Sequence, residues 1–133
     1  MERAKQVLAA LRKLPAYKQI QATAAPGKPW DLAGKTQVVV MDPPSGKPLA
    51  FIFVDANEGC GDFQGDLSAV FELDGDTVKL GGKPMGAPPR MPVGLIDLGD
   101  GKLEILFSEG VLRGATGFDQ LDTLVIPFLD CAC

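Results

Sequence analysis

The chain has 133 residues, a formal net charge of −4 and no histidine. Apolar residues at 46% and charged residues at 23% are the proportions of a folded globular protein, which excludes wholesale disorder. The acidic balance, with no basic stripe interleaved with aromatics, excludes a nucleic-acid partner, and the missing histidine excludes Ser-His-Asp and Cys-His catalysis and His-ligated zinc.

A single domain spanning 1–133 is expected, burying roughly two-thirds of its unfolded surface. Its N-terminal helix should cover 1–15. Ala4, Val7, Leu8, Leu11 and Leu14 form one apolar stripe, and Glu2, Arg3, Lys5, Gln6, Arg12 and Lys13 fill the remaining faces. A basic amphipathic helix can lie on a membrane, but this stripe has no Trp or Phe anchor, so packing on a sheet is expected instead. Pro15 stops or kinks the helix by removing an amide donor. No apolar run reaches the length of a membrane span, and no signal peptide is visible.

From Tyr17 onward the apolar period falls to two or becomes continuous, and a β-rich body is expected over 36–130. Gln37–Met41 and Leu49–Val54 are β-branched and aromatic, and both read as strands buried on two faces. The loop between them contains Ser45-Gly46-Lys47. A phosphate loop would need glycine where Met41 stands and Ser or Thr at Pro48, so that motif is rejected. Leu67, Ala69, Phe71 and Leu73 alternate with Ser68, Val70 and Glu72, and Asp74-Gly75-Asp76 then turns the chain into Thr77–Leu80. A further hairpin joins Val93–Leu98 to Lys102–Phe107 through Gly99-Asp100-Gly101, and a last strand is expected over 121–128, with Pro127 at a sheet edge. Gly-Lys-Pro recurs at 27–29, 46–48 and 82–84 as turn chemistry without a matching repeat unit. The fold class is mostly β (α+β): an N-terminal helix on about seven or eight antiparallel strands, in a small barrel or a sandwich.

The cysteines admit three readings. Cys60, Cys131 and Cys133 are too few for a zinc site unless a carboxylate or a second chain contributes. The terminal Cys-x-Cys resembles the prenylated end of Rab-type small GTPases, but no nucleotide-binding signature accompanies it. A disulfide from Cys60 to Cys131 or Cys133 is the reading adopted, because bridging Cys131 to Cys133 would close a strained ring. Such a bridge places the protein outside the cytoplasm, extracellular or periplasmic.

The segment Ile96-Asp97-Leu98-Gly99-Asp100-Gly101-Lys102-Leu103-Glu104-Ile105 resembles the calcium loop of FG-GAP/VCBS-type β-hairpin repeats. The resemblance covers about residues 96–105 and implies Asp97, Asp100 and Glu104 as calcium ligands, although Gly99 stands where a central ligand would be. A second acidic stretch can be laid on an EF-hand loop, with Asp55, Asn57 and Asp66 at its first, third and twelfth positions. It lacks the glycine at the sixth position and has no flanking helix pattern. Ser45, Ser68 and Ser108 have no evident base, and carboxylates such as Asp62 and Asp66, or Asp97 and Glu104, are the remaining catalytic candidates.

Trp30 lies between Lys28-Pro29 and Asp31 and is the candidate binding anchor. The alternative is a core residue covering the sheet or the helix. The expected function is a small, non-enzymatic, exported binding or interaction domain for a protein or small ligand, with no cofactor unless calcium binds. The alternative is a carboxylate-based hydrolase, again with calcium as its possible ion.

Overall fold

The computed structural model describes residues 2–43, 46–57, 63–86, 92–97, 103–107, 110–113 and 120–123. The protein is mostly β, with a helical N-terminal region. Helix α1 (Glu2–Arg12) and helix α2 (Pro15–Gln21) are followed by a 3-10 turn at Trp30–Ala33. Strands β1 (Lys35–Met41), β2 (Leu49–Asp55), β3 (Asp66–Asp74) and β4 (Thr77–Leu80) form one antiparallel sheet in that order. Strands β5 (Pro92–Asp97), β6 (Leu103–Phe107), β7 (Gly110–Arg113) and β8 (Gln120–Thr123) form a second, also in chain order. Among the described residues no pairing closes either sheet into a barrel.

Helix α1 follows its apolar stripe. Val7 and Leu11 are fully buried, while Leu8, Ala10 and Leu14 pack against the same core. Its end is earlier than expected, and the segment after it corrects the reading of Pro15. The helix stops at Arg12, and Leu14 adopts φ −71°, ψ 144°, the extended conformation favoured before proline. Pro15 then opens α2 as its first helical residue, where a missing amide donor is harmless and the fixed φ suits the helix. Seven residues are too few to show a helical period, so α2 was invisible to periodicity.

The first sheet alternates between two covered faces. Ala50, Ile52 and Val54 of β2 stand opposite Phe71, Ala69 and Leu67 of β3, and this set packs with Val7, Leu11, Tyr17 and Trp30. Leu49, Phe51 and Val70 belong to the other set, and they cluster with Ile105 of the second sheet, with Leu95 alongside. Strand β2 is therefore buried on both sides, as its unbroken apolar run implies. Strand β1 departs from the same expectation. Among the described residues it pairs with β2 alone; Lys35–Gln37 and Val40 are exposed, and the rest are half-buried. Its composition matches β2, but an edge strand has a neighbour on one side only.

The β3–β4 hairpin turns between Asp74 and Thr77, with Gly75 at φ 58°, a left-handed conformation that glycine adopts without penalty. The expected hairpin of β5 and β6 is present, with Asp97 opposite Leu103. Strand β8 covers the start of the expected 121–128 strand, and 124–128 lies outside the described residues. Strand β7, described over Gly110–Arg113, has no counterpart among the sequence expectations.

Candidate functional site

The most concentrated polar chemistry among the described residues is where the N-terminal elements meet. Asp31 sits in the 3-10 turn with its side chain 1% exposed. The last residue of α1, Arg12, grips it with two hydrogen bonds, Nε to Oδ1 at 3.0 Å and Nη2 to Oδ2 at 2.7 Å. The Tyr17 hydroxyl, from α2, donates to the same Oδ1. Burial by itself raises a carboxyl, but the hydrogen bonds from Arg12 and Tyr17 outweigh it and hold Asp31 below its ordinary value. Desolvation, then the bond to Asp31, pushes the Tyr17 phenol up to about 12. The bond to Asp31 likewise raises Arg12.

An aromatic layer backs this cluster. Tyr17 stacks on Trp30 at 5.0 Å between centroids, and Phe63 meets the indole edge-on at 6.3 Å. The indole nitrogen donates to the Tyr17 carbonyl at 3.1 Å, and the Trp30 amide donates to Gln21 Oε1 at 3.0 Å. Gln21 Nε2 in turn donates to the Lys28 carbonyl at 3.0 Å. Trp30 is 2% exposed, so its ring is held in the core. Chemically the cluster is a tie between three elements: both Asp31 oxygens are occupied and its charge is matched by Arg12. A shallow cavity of about 310 Å³ lies beside it, lined by Arg12, Tyr17, Gln21, Gly27, Lys28 and Pro29.

A larger groove, about 420 Å³, runs between α1 and β4. Ala9, Ala10, Lys13 and Leu14 line it from the helical side and Asp76, Val78 and Leu80 from the β4 side, so that Lys13 and Asp76 bring opposite charges to the groove. It lies where α1 comes near β4 and presents Ala9 and Ala10. No protein-family model, curated protein or solved structure matches this chain.

The residues singled out in the sequence fall in scattered places. Asp97 ends β5 opposite Leu103, and Glu104 stands in the adjacent rung opposite Ile96. Asp100 lies outside the described residues, as do Cys60, Cys131, Cys133, Asp62, Ser45 and Ser108. Ser68 is fully buried, and its hydroxyl donates to the Gly86 carbonyl at 2.8 Å, fastening the chain after β4 onto β3. Asp55 and Asp66 are cross-strand partners at the neck of the β2–β3 connection. Asn57 closes that neck, its side chain donating to Asp66 at 2.9 Å and its amide to Asp55 at 3.2 Å.

Asp31 itself escaped sequence reasoning. Its partners lie 14 and 19 residues away on separate elements, and no local motif links them. The signal present was an acidic residue directly after the only tryptophan, with a basic residue closing the apolar stripe of the helix.

Proposed function

We propose that this chain is a small non-enzymatic binding domain, and that the groove between α1 and β4 receives an apolar side chain of its partner. The observation that carries this reading is the groove's make-up: alanine, leucine and valine side chains together with the opposite charges of Lys13 and Asp76. Recognition surfaces commonly combine an apolar pocket for an anchor with a few polar groups that fix orientation. The hydrolase alternative draws less support. Asp31, the buried carboxylate among the described residues, is held ionised by two donors and so is poorly placed to exchange a proton.

The packing of Ile105 and Leu95 against Leu49, Phe51 and Val70 supports a sandwich of the two sheets, with the helices on the outer face of the first. The proposed disulfide from Cys60 to Cys131 or Cys133 supports an exported protein. Calcium ligation by Asp97, Asp100 and Glu104 rests only on the repeat resemblance and stands outside the proposal.

A displayed random-peptide library panned against the protein tests the groove. The expected result is a set of peptides sharing an apolar anchor, whose affinity falls about tenfold or more in Ala9→Arg, a substitution at an exposed position that fills the groove. Peptides that bind wild type and Ala9→Arg equally, or no enrichment at all, would remove the groove from the proposal.

A further inference from the structure

The four sheet edges among the described residues are not alike. Strand β4 has four residues and lies along α1. Strand β8 is described over Gln120–Thr123, and its sequence carries a charge at Asp122. Strand β5 begins at Pro92 and shifts register between Pro92 and Gly94. Shortness, charge, proline and irregularity are the devices by which proteins blunt exposed edges against pairing with another chain. Strand β1 uses none of them along its length. It pairs with β2 through all seven residues, Lys35↔Asp55 to Met41↔Leu49, without a shift, and its single charge is at one end. Strand β5 comes near β1, and Met41 and Leu95 pack against the same cluster, on the face away from the helices.

We infer that the outer edge of β1 pairs antiparallel with β1 of a second copy of this chain, about a two-fold axis at Val38. A two-fold axis through an antiparallel pair forces residues of equal parity to face each other, so Thr36 meets the partner's Val40 and Lys35 meets the partner's Met41. This register suits the sequence. It covers Val40, which is 40% exposed in the single chain, with the β-branched Thr36. It also keeps the two Lys35 side chains six residues apart, about 20 Å along the strands and beyond the screening length. A parallel arrangement would instead set lysine beside lysine. The contact is narrow, so the dimer is a weak one that forms at high concentration and joins two four-stranded sheets into one of eight.

Sedimentation equilibrium on the full chain, from micromolar to millimolar concentration, tests this with two register-specific variants. Thr36→Lys/Val40→Lys places lysine opposite lysine twice and should weaken dimerisation about tenfold or more, whereas Thr36→Lys/Val40→Glu places lysine opposite glutamate twice and should restore it. Trp30 fluorescence checks that both variants are folded. Amide exchange supplies a second readout, with the outward amides of β1 exchanging fast in dilute solution and slowing as the dimer forms. A wild-type chain that stays monomeric at millimolar concentration overturns the inference. So does dimerisation that neither variant changes, or loss in both variants, which rules out this register. Slow β1 exchange in the dilute monomer would show the edge already filled by the chain's own residues and would equally overturn it.

Discussion

Burial drives the Asp31 carboxyl upward and two donors reverse the result, so this side chain's effect on stability changes sign with its partners. In the wild type the folded carboxyl lies below its unfolded value. Its contribution is therefore complete above about pH 4 and is lost as the pH falls through the folded value. Arg12→Met leaves Tyr17 alone against desolvation. At neutral pH this should cost about 2–3 kcal/mol, because a buried charge loses its countercharge. The variant should then recover part of that loss on moving from pH 7 toward 5, as the stranded carboxyl takes up a proton, while the wild type shows no such gain. Urea unfolding at several pH values, followed by Trp30 fluorescence, measures both trends. Tyr17 offers a cleaner readout because it is the only tyrosine in the chain. Its folded value, raised to about 12, means that stability is intact below about pH 10 and declines between there and 12. The phenolate absorbance of the native protein should accordingly rise near pH 12, against about 10 in denaturant. A native midpoint near 10 would mean that the hydroxyl is not locked onto Asp31.

Where the helical region joins the first sheet, a single glycine sets how closely two elements approach. Gly34 has φ −136°, an extended backbone that any residue adopts, so strain is not the reason for glycine there. A Cβ would instead lie 2.1 Å from the Asp55 carbonyl oxygen and 2.5 Å from Ala56 Cα, both backbone atoms that cannot rotate away. Gly34→Ala should destabilise by about 2–4 kcal/mol, whereas Gly94→Ala, with nothing within 4 Å of its Cβ, should stay within about 0.5 kcal/mol. Guanidinium denaturation of the two variants makes the comparison, and equal effects would contradict the close approach. The elements themselves were unequally legible. Helix α1 and the β3–β4 hairpin follow from Val7, Leu11 and from Leu67, Ala69, Phe71 and Leu73, because local periodicity dictates which side is covered. Strand β1 misled, since Val38–Val40 look as apolar as β2, and only the sheet order places it at the edge of the first sheet among the described residues. Helix α2 was hidden by reading Pro15 as a stop when it is equally a start. The Arg12–Tyr17–Asp31 tie was illegible because it is made of long-range pairings, and Trp30 turned inward with it.

At the scale of the molecule, the first sheet is a shared layer whose two faces face different neighbours. Val7, Leu11, Tyr17 and Trp30 cover one side, and Ile105 with Leu95 reaches the other. Neighbouring positions along β2, such as Phe51 and Ile52, belong to opposite clusters, so neither face can loosen without disturbing the backbone of the other. This geometry predicts one cooperative unit, and Trp30 permits a direct check, because it is the only tryptophan and lies on the helix side. Ile105→Ala removes a fully buried side chain from the far side and should cost about 2–5 kcal/mol. If the sheet couples its two faces, Trp30 fluorescence and far-UV circular dichroism will report the same lowered midpoint for this variant. If the second sheet is a separate unit, the dichroism will split into two steps and the Trp30 transition will stay at its wild-type midpoint. Ile52→Ala, on the helix side, calibrates the comparison: it should shift the Trp30 curve by a similar amount under either arrangement, so only the Ile105 variant distinguishes a sandwich from two independent sheets.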